Sequence, residues 1–129
     1  MARELKITVM VHTGSGAPFS DPMMILPAAK QFPDVKIVIA HAGTDLLKSE
    51  AVFLTKTYDQ IYIEPSWLGI SATKAVIESC GVNKVMFSSD HPRNVPMELL
   101  KYRNLISDSE DLERVLSGTV IEAFELKTK

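Results

Sequence analysis

The sequence predicts an α/β fold made of successive β/α units, and three observations carry that prediction. Four short runs rich in β-branched residues, at 6–11, 35–40, 60–63 and 84–87, read as strands. Their apolar character is nearly continuous rather than alternating, as expected when helices cover one face of a parallel sheet and a core the other. They begin about every 24 to 30 residues, the repeat of a β/α unit, with helical patterning between them.

Each element has a local reason. In 21–32, Asp21 can cap and Pro22 fits the first helical turn, while Pro27 can kink the helix. Residues 44–57 place Leu46, Leu47, Ala51 and Leu54 on one helical face, and 71–80 do the same with Ala72, Ala75 and Val76 before Gly81 ends the helix. Three further helices are expected at 96–106, 109–116 and 119–126; the acidic residues Asp108, Glu110 and Asp111 suit the start of the second. The expected order is βαβαβαβααα, without a linker or low-complexity segment, so residues 1–129 read as one domain.

Composition narrows the function classes. Fourteen basic and 16 acidic residues are interspersed, for a net charge of −2, and no basic stripe exists to track a nucleic acid. Nucleic acid is not an expected partner. The single cysteine, Cys80, allows no intrachain disulfide and no cysteine-rich zinc site, which points to a reducing, cytoplasmic setting. The apolar stretch 7–11 is too short for a signal segment or a membrane span, so no membrane association is expected.

Chemistry-bearing residues gather at the strand ends, where parallel β/α folds keep their sites. The first strand runs into His12-Thr13-Gly14, the second into His41-Ala42-Gly43, the third into Glu64-Pro65-Ser66-Trp67 and the fourth into Ser88-Ser89-Asp90-His91-Pro92. A lone histidine after a strand is more often a hydrogen-bonded structural residue. Four polar clusters in phase argue for a site. Imidazoles and a carboxylate suit Zn²⁺, Mn²⁺ or Fe²⁺, and Gly14 and Gly43 let each loop turn sharply.

The motifs Val-His-Thr-Gly at 11–14, Phe-Pro-Asp-Val-Lys-Ile-Val-Ile-Ala-His-Ala-Gly at 32–43 and Ser-Ser-Asp-His-Pro at 88–92 resemble the second half of the amidohydrolase-related family of metal-dependent barrels. The branch they resemble includes aminocarboxymuconate-semialdehyde decarboxylase, resorcylate decarboxylases and pyrone-dicarboxylate lactonase. The likeness extends to 116–124, which is similar to the family's closing helix. It implies the C-terminal half of a TIM-type (β/α)8 barrel, with His12 and Asp90 as ligands of a divalent metal, zinc first. It also implies His41 as the catalytic histidine and Asp90 as the proton acceptor for a metal-activated water. The expected reaction is hydrolysis of a small cyclic amide, lactone or carboxylated substrate, with decarboxylation as the alternative.

Two features depart from the family pattern. The resemblance implies a His-x-His pair on the first strand of the barrel, and the three histidines here, His12, His41 and His91, contain none. A complete barrel takes roughly 250 residues and eight strands. The expected partners are therefore a second copy of the chain or a separate subunit that completes the barrel; a truncated, inactive barrel that oligomerises is the competing expectation. His91 adjoins Asp90 and reads as a loop side chain or substrate contact. Around the site, Trp67 reads as pocket wall or packing, Glu64 as substrate contact or solvated loop carboxylate, and Arg93 as a binder of a substrate carboxylate or a surface salt bridge.

Overall fold

The computed structural model describes residues 1–127. Its centre is a parallel three-stranded sheet of β1 (Val9–His12), β2 (Ile37–Ala40) and β3 (Ile61–Glu64), in the order β1-β2-β3. The helices are α1 (Ala2–Leu5), α2 (Leu26–Gln31), α3 (Thr44–Thr57), α4 (Ile70–Cys80), α5 (Val95–Leu105), α6 (Ser109–Glu113) and α7 (Thr119–Phe124). The register pairs His12 with Ala40 and Ala40 with Glu64, so the C-terminal ends of all three strands fall in one row.

Side-chain alternation divides the core in two. On one face Ile37, Ile39, Ile61 and Ile63 meet Ala29 of α2, Ala51 and Leu54 of α3, Ala72 and Val76 of α4 and Tyr102 of α5. On the other, Val38, Tyr62 and Met86 pack on Ala123 of α7. Thr8 Oγ1 donates to Ala123 O at 2.6 Å and Tyr62 Oη to Glu122 Oε1 at 2.9 Å, which holds α7 over this face. Each fully buried Val or Met contributes about 1.5–3 kcal/mol. With α7 covering the Val38–Tyr62 level, the next residues along the strands carry the polar groups.

The expected fourth strand at 84–87 is corrected by the structure: it forms only an isolated parallel bridge, Ile63 to Val85. Ile63 N–H donates to Lys84 O and Met86 N–H to Ile63 O, but Phe87 N–H turns away to Val115 O at 2.9 Å. With no strand on its far side, nothing holds the segment extended after that bridge.

The first strand also starts later than expected. Residues 2–5 form α1, a turn without a capping or periodic signal in the sequence, and Lys6 ends it in the left-handed region at φ 52°. The expected helix at 21–32 divides into a 3₁₀ turn, Pro22–Ile25, and α2, whose first turn holds Pro27. Asp21 caps the 3₁₀ turn by accepting from Met23 N–H at 2.7 Å. Asp108 likewise caps α6, and a π-helical turn at Arg114–Gly118 joins α6 to α7. No helix among the described residues is long and apolar enough to cross a membrane.

Candidate functional site at the strand ends

His12 closes β1 and His41 follows β2 directly; their rings meet edge to face with centroids 4.9 Å apart. The loop after β2 is unusual: His41, Ala42, Gly43 and Thr44 all have positive φ, at 61°, 47°, 74° and 56°. For a residue with a side chain this conformation costs about 1–3 kcal/mol, so neighbouring contacts must hold it. Thr13 does so. Its buried hydroxyl donates to Ala40 O at 2.7 Å and accepts from Gly43 N–H at 2.8 Å, tying the loop after β1 to the loop after β2.

Trp67 and Asp90 are also left-handed, at φ 67° and 57°. Asp90 follows the bridge at Val85, and its exposed carboxylate accepts from Trp67 Nε1 at 2.8 Å. The Trp67 backbone N–H donates to Glu98 Oε1 at 3.1 Å. Glu98 and Lys101 form a buried ion pair on α5 at 2.6 Å, and Lys101 Nζ donates to Pro65 O and Leu68 O. The loop carrying Trp67 is thereby fixed from below.

Glu64 is 1% exposed, the last residue of β3 rather than a solvated loop carboxylate. Its Oε2 accepts from Ser66 N–H at 2.7 Å and its Oε1 from Ser66 Oγ at 2.8 Å. Ser66 Oγ in turn lies 2.8 Å from His41 Nδ1. Burial pushes the Glu64 carboxyl up to about 7, against the pull of the two Ser66 donors. Burial also lowers the His41 imidazole below its ordinary value; Asp90 opposes that shift and His12 adds to it. Asp90 and His12 therefore both act electrostatically on His41, with opposite sign.

The remaining expectations separate. Arg93 lies exposed on the turn Pro92–Asn94 and forms no ion pair among the described residues. His91 caps that turn, its Nδ1 accepting from Arg93 N–H at 3.2 Å. A cavity of about 490 Å³ lies beside β1, lined by Val9, Val11, Ile25, Phe32 and Ile37, and touches the site only through His12. Thr13 and Ser66 are contributors that the strand-end motifs do not single out. A hydroxyl directly after a strand and a Glu-x-Ser pattern at a strand end were the available signals.

A metal centre is not complete among the described residues. Among the described residues no group of three or more His, Cys, Asp or Glu side chains is placed to hold a metal ion. His12 and Asp90 remain as two donors, one of them already accepting from Trp67.

A parallel three-stranded sheet with polar residues converging at its strand ends defines the class of α/β domains that keep their sites at that edge. The amidohydrolase family profile matches residues 1–126, and the chain belongs to that family. Among solved structures, amidohydrolase 2 from Bifidobacterium longum subsp. infantis is similar with a TM-score of 0.72 at 18% identity, over 98% of this chain and 52% of that one. The 5-carboxyvanillate decarboxylase LigW from Sphingomonas paucimobilis is similar with a TM-score of 0.59 at 19% identity, over 81% of this chain and 38% of that one. The chain thus spans about half the length of the first and less of the second. No curated protein matches it.

Proposed function

We propose that this chain forms the proton-handling part of a hydrolytic site for a small cyclic amide, lactone or carboxylated substrate, in the second half of a β/α barrel. The observation that carries the reading is the edge-to-face meeting of His12 and His41, the latter in a loop with positive φ over four residues. Such strain persists where function requires a fixed geometry. With its basicity lowered, His41 is neutral near pH 7 and can take a proton from attacking water and return it to the leaving nitrogen or oxygen.

Family membership implies a divalent metal, and His12 and Asp90 are the ligands this chain would offer. Two donors do not make a site, so the others come from outside the described residues. A second copy of the chain is the completing partner we favour, because β1 leaves one edge of the sheet unpaired and Met10 exposed. A separate subunit is the competitor. Both predict an assembly larger than a monomer.

The test combines light scattering with turnover of lactone and cyclic amide panels, using His41→Ala, His12→Ala and Asp90→Ala as controls. An oligomer whose hydrolysis falls at least about 100-fold in His41→Ala supports the reading. Bound metal that disappears in both His12→Ala and Asp90→Ala supports the ligand assignment. A stable monomer, or turnover indifferent to His41, overturns it, and carbon dioxide release from carboxylated substrates would move the assignment to a decarboxylase.

A further inference from the structure

The geometry points to Glu64 and Ser66 as positioning residues that set the tautomer of His41, placing the ring proton on Nδ1 and leaving Nε2 as an acceptor toward the substrate. This rests on His41 being the proton-handling residue, but it concerns side chains that touch no substrate.

The argument is a count of protons. Ser66 Oγ has one hydrogen and two polar neighbours, Glu64 Oε1 at 2.8 Å and His41 Nδ1 at 2.8 Å. At alkaline pH, where Glu64 is ionised, its carboxylate only accepts, so the hydroxyl proton goes to Glu64. Ser66 Oγ then accepts from His41, which requires hydrogen on Nδ1. Glu64 Oε1 itself lies 3.6 Å from Nδ1 and favours a proton on that side. Glu64 and Ser66 are 1% and 0% exposed, so water does not compete in this chain of bonds. Nε2 makes no hydrogen bond among the described residues. A group meeting it must donate: a water, a hydroxyl or an amide N–H, rather than a carbonyl oxygen.

An isosteric substitution should invert the arrangement. In Glu64→Gln the side-chain oxygen must take the Ser66 backbone N–H, since the opposite orientation sets two donors against each other in a buried site. The amide NH₂ then faces Ser66 Oγ and donates to it. The hydroxyl proton turns to His41 Nδ1, and the ring proton moves to Nε2.

The experiment is ¹⁵N detection of the imidazole nitrogens in the metal-free full chain, at alkaline pH where Glu64 is ionised, with His41 assigned by loss of its signals in His41→Gln. The unsubstituted protein should show the Nδ1–H form and Glu64→Gln the Nε2–H form. The same tautomer in both, or the Nε2–H form in the unsubstituted protein, overturns the inference. Should Glu64→Gln not fold, the unsubstituted protein decides: the Nδ1–H form supports the relay, and the Nε2–H form or an even mixture refutes it. Because the readout needs neither metal nor turnover, inversion in an inactive protein keeps this inference while removing the hydrolytic reading. An active enzyme without inversion does the reverse.

Discussion

The indole Nε1 of Trp67 donates to Asp90 Oδ2 at 2.8 Å, joining the loop after β3 to the turn that carries the candidate acidic residue. Trp67 is the chain's one tryptophan, so its fluorescence reports on that bond. Asp90→Ala should shift the emission, and Asp90→Asn, which keeps an acceptor, should shift it less. If Asp90 also takes part in ligand binding, zinc or substrate will alter the emission of the unsubstituted protein and leave Asp90→Ala unchanged. Identical spectra for all three proteins would remove Trp67 from the account of the site.

Glu64 makes a pH prediction with a definite sign. Its carboxyl is raised from 4.5 to about 7 on folding, so between those values the folded state binds more protons than the unfolded one. Stability from this group is full at acidic pH and lost as pH rises through the window, by up to about 3 kcal/mol. His41, lowered on folding, acts oppositely, losing stability as pH falls through its folded value. Comparing Glu64→Gln with the unsubstituted protein removes the first effect. The variant's melting temperature should gain on the parent's as pH rises from 4.5 toward 7; parallel profiles would contradict the burial argument.

The parts of this structure that depend on neighbours in sequence were legible in it. The cap at Asp21, the acidic helix start at Asp108, the stop at Gly81 and the helical face of Ala51 and Leu54 follow from local rules, and all are present. The strand at 84–87 was not, because whether Val85 continues a ladder depends on a pairing partner that local apolarity does not reveal. At the strand ends the sequence marks His12 and His41, whose rings the structure brings edge to face. A carboxylate at Glu64 reads as a substrate contact or a solvated loop group, whereas the Ser66 donors accommodate it inside. Sequence alone offers no way to see that compensation.

The buried Glu98–Lys101 pair predicts an asymmetry between single and double substitutions. Lys101→Met leaves Glu98 as a buried charge without its cation and strips Pro65 O and Leu68 O of a donor, which should cost about 3–5 kcal/mol. Adding Glu98→Gln removes the stranded charge while an amide oxygen can still accept from Trp67 N–H. Denaturant titration should find the double variant more stable than Lys101→Met alone. Additive losses would mean that the two side chains act independently.

The loops after β1 and β2 can be tested against each other in the same way. A Cβ on Gly14 would lie 2.6 Å from Thr44 Cγ2, and Gly14 has φ +145°, so Gly14→Ala meets both a collision and an unfavourable backbone. Thr44 cannot easily rotate aside, because its Oγ1 donates to Gly43 O and accepts from Ser15 N–H. We expect Gly14→Ala to cost roughly 2 kcal/mol or more. Thr44→Ser removes Cγ2 but keeps the hydroxyl, so in the Gly14→Ala background it should return the collision part and leave the backbone part. A full recovery would mean that φ at Gly14 carries no strain; no recovery would mean that the two loops do not touch there. Because Thr44 ends the left-handed run that begins at His41, the same cycle read on the His41 imidazole resonances should show a shift in Gly14→Ala that Thr44→Ser partly reverses.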